Sequence, residues 1–385
     1  MTTLVNSAPP KTKSQALRSY DVADFPALNG MEEEWRFTPL KRLRGLTTLT
    51  AVSRTVGYEY SGLPSGVTVA AVPAAEVEPI LMPFDRISAL AFQSSPQVTL
   101  IDIDKGVVLE SAAAIRVVGT GGEAAAARTL IRVGALAEAT LVLEHTGSAT
   151  LADNVEVDVR DGARLTLVTV ADWAADAVQS QHIRFRLGRD AKVNHVQVTL
   201  GGDVVRQYIS VEYAGRGGDV DLFGLYFATE GQHQEHRLLV DHAVPDCRSR
   251  VAYRGALRGE QAHTVWVGDV LIRAEATGTD TYEINRNLLL SDGARADSVP
   301  NLEIETGEVA GAGHASATGR FDDEHLFYLM ARGIPEAEAR KLVVRGFFAE
   351  LLAKIPVVEL RERLGDAIEA RLVAAEAAVP AEATV

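Results

Sequence analysis

Cysteine is almost absent from the chain, because Cys247 is the single thiol among 385 residues. One cysteine excludes an internal disulfide and is typical of proteins from a reducing compartment. It also leaves the chain without the set of thiolates that usually holds a metal–sulfur cluster. For Cys247 itself two interpretations stay open, a small core hydrophobe or a reactive thiol.

Long apolar runs are missing as well. No stretch reaches the ~18 consecutive apolar residues of a membrane-spanning helix. Residues 1–20 are polar and lack the apolar centre of a secretory signal, which predicts a cytoplasmic location. The net charge of −14 predicts repulsion from nucleic acid and from anionic membranes.

The usual sequence motifs of catalysis are also missing. The chain has no phosphate-binding glycine-rich loop, no Gly-x-Ser-x-Gly elbow, no zinc-protease helix and no Cys-x-x-Cys pair. A β-helical enzyme that cleaves polysaccharide is a further class to weigh. The lack of a secretory signal and of paired carboxylates on one solenoid face argues against it.

An evenly spaced repeat organises the middle of the chain. Its units open at the same interval each time, at Gly134, Gly162, Asp190, Gly218 and Asp246. Each unit begins with a turn residue and continues in strand-like alternation. The fixed period predicts a β-solenoid whose strands alternate between interior and exterior, with chance spacing in a β-sandwich as the alternative. A further unit at Gly293 breaks the spacing and predicts an insertion or an altered turn before it.

Helical patterns flank the repeats. A short helix is predicted over Ser14–Tyr20, and Trp35 and Phe37 are predicted to anchor the N-terminal segment on the body. Three helices are predicted near the C-terminus, over Asp322–Arg332, Glu336–Lys354 and Val357–Ala378. Gly333 has the position of a C-terminal cap. The second helix has an apolar stripe made of Leu342, Val343, Gly346, Phe347 and Leu351.

Two groups of histidines are candidates for metal ligands. His233, His236 and His242 lie close in sequence, but residues 233 and 236 of one strand face opposite sides. We therefore interpret them as surface or capping residues. His314 lies among glycine and alanine, and neutral imidazole is a good ligand for iron or zinc. A structural role for His314 is an equal alternative, and any metal site there needs ligands from a partner.

Several segments resemble the SufB/SufD family of iron–sulfur cluster assembly proteins, and most closely the SufD type. The resemblance spans most of the chain and is most specific in the C-terminal helices. The residues that carry it are Glu34–Thr38, His236–Ser249, Asn285–Leu290, Pro300–Ile304, His314, Asp322–Gly333 and Val344–Phe348.

The resemblance implies a mainly β fold, a right-handed parallel β-helix between helical regions. The implied regions are an N-terminal helical or loop region over residues 1–50, a β-helix core over 51–320 and a C-terminal helical domain over 321–385. It also implies a non-catalytic subunit that pairs with a SufB-like homologue. A SufC-like ABC ATPase would dock on the C-terminal helices.

The choice between the two relatives depends on single residues. SufB-like chains have a cysteine where this chain has Ala294, and acidic residues where it has Gly313 and Ala315. His314 matches the interface histidine of SufD, although Ala312 replaces a cysteine that some SufD proteins have. The sequence therefore resembles SufD, and a SufB-like scaffold that holds the nascent cluster itself is the alternative.

Further expectations concern ligands and partners. His314 is the candidate ligand for transient iron, or for a cluster, at the interface with SufB, and reduced flavin in the complex is a second expectation. The isolated chain is expected to bind no cofactor stably, and a homodimer is one assembly it could adopt. The residues predicted to contact the partner ATPase are Leu326, Phe327, Tyr328, Arg332, Gly333, Arg345, Gly346, Phe347 and Phe348. Packing of these aromatic residues onto the β-helix is the alternative.

Overall fold

The computed structural model describes residues 13–49, 56–320 and 323–377. Strands dominate and form a parallel β-solenoid of about 8 turns, followed by helices near the C-terminus. The prediction of a mainly β solenoid is therefore confirmed. Among the described residues, no helix combines the length and the apolar character needed to span a membrane.

The solenoid is built from two nine-stranded sheets, which we call sheet A and sheet B. In spatial order sheet A contains β1 (Val56–Tyr60), β4 (Ala113–Thr120), β6 (Glu138–Ser148), β8 (Arg164–Trp173), β10 (Lys192–Thr199), β12 (Asp219–Ala228), β14 (Arg248–Leu257), β16 (Asp280–Leu289) and β18 (Gly311–Arg320). In the same direction sheet B contains β2 (Val67–Pro73), β3 (Gln97–Ile103), β5 (Ala125–Val133), β7 (Thr150–Val159), β9 (Val178–Leu187), β11 (Val204–Tyr213), β13 (His233–His242), β15 (His263–Ile272) and β17 (Arg295–Ile304).

The two ends of the solenoid differ. At the first end, β1 and β2 pair in antiparallel fashion with β4 and β3. At the other end, β17 and β18 are the last strands of their sheets, and each pairs in parallel with one neighbour. Every other neighbouring pair of strands is parallel, so each successive coil of the chain lies one step closer to this second end.

The length of a coil varies around the predicted repeat. The step from Arg164 to its partner Lys192 equals the predicted interval, whereas the step from Arg248 to its partner Asp280 is longer. The interpretation of Gly293 as a displaced unit is wrong. Gly293 is the turn before β17 of sheet B, and the sixth sheet A unit opens at Gly278, whose φ of +72° suits glycine.

An apolar core fills the space between the sheets. Alternate residues of both sheets point into it, among them Leu167, Phe185, Ile209 and Val240. Cys247 belongs to this core with 1% of its surface exposed, which confirms the interpretation of a small core hydrophobe. Burial also raises the pKa of its thiol.

Three helices follow the solenoid, α2 (Asp323–Ala331), α3 (Glu336–Leu352) and α4 (Val358–Ala377), and they match the three predicted helices, although the predicted ends Asp322 and Ala378 lie outside the described residues. The helices α3 and α4 cover the outer face of sheet A, whereas α2 packs on α3. The predicted stripe of α3 is partly wrong, because Leu342 and Gly346 are exposed. The buried residues of α3 are Ala339, Val344, Phe348, Leu351 and Leu352, because the apolar outer face of sheet A selects that side of the helix.

The outer face of sheet B is covered by the N-terminal segment and by α1 (Arg86–Ser94). The segment contains short 3₁₀ helices at Lys13–Gln15, Val22–Asp24, Glu33–Trp35, Leu40–Arg42 and Leu46–Thr48, and a further one at Ala74–Glu76 precedes α1. The predicted helix over Ser14–Tyr20 is therefore reduced to a single turn. Trp35 is the predicted anchor, with 2% of its surface exposed and the Arg206 guanidinium 3.8 Å from its ring centre, whereas Phe37 is half-buried.

Candidate functional site

The open end of the solenoid holds the predicted ligand His314. This residue lies on β18, directly opposite Glu283 of β16. Its side chain is 43% exposed, and its Nδ1 lies 3.9 Å from Oε1 of Glu283. The residues on either side of it are Gly313 and Ala315, so that neighbouring side chains leave the imidazole accessible from the end of the solenoid.

Glu283 is the unusual group at this end. Its side chain is 1% exposed, and neither carboxyl oxygen makes a well-formed hydrogen bond within the described part of the chain. The backbone N–H of Asn301 interacts with the carboxyl and partly opposes the rise of its pKa. Burial, reinforced by the charge of Asp269, raises the pKa of Glu283 to about 8. The carboxyl group has space because residue 268 is glycine. A Cβ atom at Gly268 would lie 2.4 Å from Oε2 of Glu283.

A hydrogen-bonded group of polar side chains fastens the last coils to the interior. The Tyr226 hydroxyl donates to Oδ1 of Asn287 at 2.7 Å, and Nδ2 of Asn285 donates to the same hydroxyl at 2.9 Å. The Ser298 hydroxyl donates to Oδ1 of Asn285 at 2.5 Å. The bonds of Tyr226 link coils within sheet A, and the bond of Ser298 joins sheet B to sheet A. The Asn285–Leu290 segment therefore has a structural role as well as its position near His314.

Among the described residues, this end of the solenoid has neither a thiol nor a cluster of metal-ligating side chains. Alanine, at Ala294 and Ala312, stands at the two positions where the family resemblance implies a cysteine in some relatives. Within residues 13–49, 56–320 and 323–377, no cluster of three or more His, Cys, Asp or Glu side chains is arranged to hold a metal ion. The pair Glu283 and His314 is therefore at most part of a site.

The histidines of β13 lie on opposite faces of their strand, as predicted. His236 points inward and stacks on Tyr226 at 4.6 Å between ring centres, whereas His233 lies on the outer face and contacts Glu235. Their assignment to the surface is wrong. His233, His236 and His242 are at most 2% exposed, because the interior and the N-terminal segment enclose both faces of β13.

The C-terminal helices present exposed apolar side chains beside the solenoid. Phe327 is 72% exposed, Tyr328 55% and Met330 43%, all on α2, and Leu342 on α3 is 49% exposed. Arg332 lies over the ring of Tyr328 at 4.6 Å. We call these five residues the exposed helical face. Free surface of this kind, with aromatic residues and arginine, is typical of protein interfaces.

Other predicted contact residues have different surroundings. Leu326 and Phe348 are 5% and 0% exposed, which assigns their side chains to packing within the chain. Phe347 is half-buried against sheet A, and its carbonyl accepts a hydrogen bond from Arg254. Arg345 is exposed and pairs with Glu369 of α4 at 3.0 Å.

The glycines of these helices have distinct roles. Gly333 has a φ of +86°, and its N–H donates to the carbonyl of Met330 while that of Ile334 donates to Leu329. This pattern is a Schellman cap, as predicted for Gly333, and it separates α2 from α3. Gly346 is exposed, and a Cβ there would meet no atom within 4 Å.

Sequence reasoning missed Glu283 and its position beneath His314. The two residues are far apart in sequence and meet only through the register of β16 and β18. The coil length is the feature of the sequence that could have found Glu283. Counting one coil back from His314 leads close to Glu283, which is the carboxylic acid on the inward face of β16.

Comparison with known proteins gives consistent matches along the chain. The family model described as SUF system FeS cluster assembly, SufBD core domain, matches residues 116–347. The Iron-sulfur cluster assembly SufBD family protein Rv1462 of Mycobacterium tuberculosis (strain ATCC 25618 / H37Rv) is 53% identical over 377 residues, which cover 94% of this chain and 93% of that protein. The SufBD family protein ML0594 of Mycobacterium leprae (strain TN) is 51% identical over 373 residues, covering 94% and 95%.

A second protein of the same M. tuberculosis strain also matches. The SufBD family protein Rv1461 is 28% identical over 203 residues, which cover 53% of this chain and 24% of that protein. One genome thus encodes two SufBD proteins, of which one resembles this chain nearly from end to end and the other over about half of it.

Proposed function

The chain belongs to the SufB/SufD family of iron–sulfur cluster assembly proteins, and from this premise we propose that it is the SufD-like subunit of a SufBCD-type complex. In this role it pairs with a SufB-like homologue, binds a SufC-like ABC ATPase and performs no catalysis of its own. The observation that carries the proposal is the open coil end, which offers the His314 imidazole but has alanine at both family cysteine positions.

The alternative, a SufB-like scaffold that holds the cluster itself, has less support. Its thiolate would have to come from Cys247, whose side chain is buried in the core with a raised pKa. Both properties oppose the formation of an accessible thiolate. Anaerobic reconstitution that yields a stable cluster on the isolated chain would favour the alternative.

The strand edges of the last coil support pairing with a homologue. Each of β17 and β18 pairs with one strand only, which leaves a row of backbone N–H and C=O groups on its other edge. A second solenoid of the same kind can add its own last coil there. A second copy of this chain offers the same chemistry, so a homodimer is the competing outcome for the isolated protein.

The exposed helical face supports docking of the ATPase. A replacement of Phe327 and Tyr328 by alanine removes two aromatic anchors while the buried residues of α3 and α4 stay in place. We expect the affinity for the SufC-like subunit to fall by about 2 kcal/mol or more, roughly 30-fold, which a quantitative pull-down or titration measures.

Tyr60→Ala is the matched control for the helical face, since Tyr60 is 44% exposed at the opposite end of the solenoid. Point variants are preferable to deletion of the helices, because deletion uncovers the apolar outer face of sheet A. Normal binding of the ATPase by the double variant would contradict the docking assignment.

His314 is proposed to contribute its imidazole to transient iron, or to a cluster, at the interface with the SufB-like partner. His314→Ala is expected to leave the thermal unfolding temperature unchanged, because the side chain is half exposed. It should lower the cluster yield of the anaerobically reconstituted complex by about tenfold or more. The control is His263→Ala, which changes another partly exposed histidine of the last coils. A normal cluster yield with His314→Ala would reduce His314 to a structural residue.

A further inference from the structure

The Glu283 carboxyl lacks the arginine and side-chain donors that this fold supplies to its other buried acids, and its interaction with the backbone N–H of Asn301 is not a well-formed hydrogen bond. Glu235 contacts Arg206, Arg237, His233 and Thr38, and Glu156 pairs with Arg128 at 2.8 Å. Buried polar groups are nearly always hydrogen-bonded, so an unsatisfied one calls for an explanation. A structural acid in this position would be an unfavourable choice, because burial without partners destabilises the folded state.

The surroundings of Glu283 point toward His314. Gly268 of β15 lies beside the carboxyl, with the Trp266 ring next to it, and both residues are buried. On the side of the open end, Nδ1 of His314 lies 3.9 Å from Oε1. An imidazole whose Nδ1 faces a carboxyl keeps its other nitrogen, Nε2, for a ligand outside.

We propose that Glu283 is a positioning residue for His314. Its Oε1 accepts a hydrogen bond from Nδ1–H, which fixes the tautomer and directs Nε2 toward a metal ion at the open end. An oxygen acceptor behind a metal-binding histidine is common in metal sites, where it fixes the tautomer and the orientation of the ring. The carbonyl oxygen of a neutral carboxyl group can fill this role as well as a carboxylate does. The separation of 3.9 Å is about 1 Å longer than a hydrogen bond, so a small rotation of the ring closes the contact.

This inference rests on the proposed role of His314 and adds the residue that acts through it. The metal is a divalent ion of the ferrous type, since one imidazole nitrogen is a good ligand for it. The remaining ligands come from the paired subunit, because the described part of the chain has no complete metal site.

The test uses the complex of this chain with its SufB-like partner and Co²⁺ as a spectroscopic probe in place of Fe²⁺. Glu283→Met keeps the approximate volume of the side chain but removes the acceptor. We expect it to lower the Co²⁺ affinity by about 10- to 100-fold, while the unfolding temperature stays equal or rises. Glu283→Gln restores an acceptor oxygen, so its Co²⁺ affinity should lie between those of Glu283→Met and the unchanged complex. Glu305→Gln, at an exposed carboxylate beyond β17, should bind Co²⁺ normally.

A double-variant cycle separates positioning from a general effect on the fold. In the His314→Ala background, Glu283→Met should cause no further loss of Co²⁺ affinity. A persistent loss in that background, or normal affinity of both Glu283 variants, would overturn the inference. If His314→Ala itself binds Co²⁺ normally, the proposed role of His314 fails instead. Should Glu283→Met not fold, the same comparisons with Glu283→Gln decide the question.

Discussion

Replacement of Glu235 by glutamine is expected to lower the free energy of unfolding by about 3–5 kcal/mol. Glu235 is fully buried on the outer face of β13 and is the common partner of two buried guanidinium groups. Arg237 donates from Nε to Oε1 at 2.6 Å, and Nε of Arg206 lies 3.4 Å from the same oxygen. Loss of the carboxylate leaves both cations buried without their counter-charge.

The same carboxylate fastens the N-terminal segment to the solenoid. The Thr38 hydroxyl donates to Oε2 at 2.7 Å, and Arg206 lies over the Trp35 ring. Burial alone would raise the pKa of Glu235, but Arg206, His233 and Arg237 together hold it well below its usual range. The carboxylate is therefore charged under all ordinary conditions, and its contacts work as one unit.

Urea unfolding followed by circular dichroism measures the effect. The matched control is Glu212→Gln, which breaks an ion pair with Arg184 on the same face of sheet B, where Glu212 is 43% exposed. The Arg184 side chain is 12% exposed, but water can reach the position of the lost carboxylate, so we expect the control to change the free energy by about 1 kcal/mol, well below the effect of Glu235→Gln. Equal effects of the two variants would show that the N-terminal segment does not depend on the buried carboxylate.

The repeat made the solenoid predictable, and its limits explain the errors. Turn residues such as Gly162 and Asp190 mark sheet A at regular intervals, because each coil must reverse at the same place. The repeat does not mark the strands of sheet B, because both of their faces are buried and the outer face carries charged residues such as Glu235, which pairs with buried arginines beneath the N-terminal segment. A strand of that type lacks the alternation that sequence reasoning uses.

The candidate site was predictable only in part, for a related reason. His314 is recognisable from its glycine and alanine neighbours and from the family resemblance. Glu283 depends on the register between β16 and β18, and the step between these strands departs from the regular repeat of the earlier coils. Coil lengths drift toward this end of the solenoid, so the sequence pattern loses its predictive value where the open end begins.

The largest effect among the C-terminal helices is expected for Phe348→Ala, a loss of about 3–5 kcal/mol in the free energy of unfolding. Phe348 is completely buried between α3 and the outer face of sheet A, in one cluster with Phe223, Leu225 and Leu364. Removal of the ring leaves a cavity that two packed helices and a rigid sheet cannot fill. Denaturant unfolding of the full chain measures this loss.

Phe327→Ala is the control, and it separates packing from docking. Phe327 is 72% exposed, so its removal should change stability by less than about 0.5 kcal/mol. The two variants should therefore give opposite patterns. Phe348→Ala should lower the stability of the chain and reduce ATPase binding only because less of the chain is folded. Phe327→Ala should reduce ATPase binding while the stability stays the same. Full stability with Phe348→Ala would contradict the packing of α3 on sheet A. Such a result would favour the prediction that the Phe348 side chain contacts the partner ATPase.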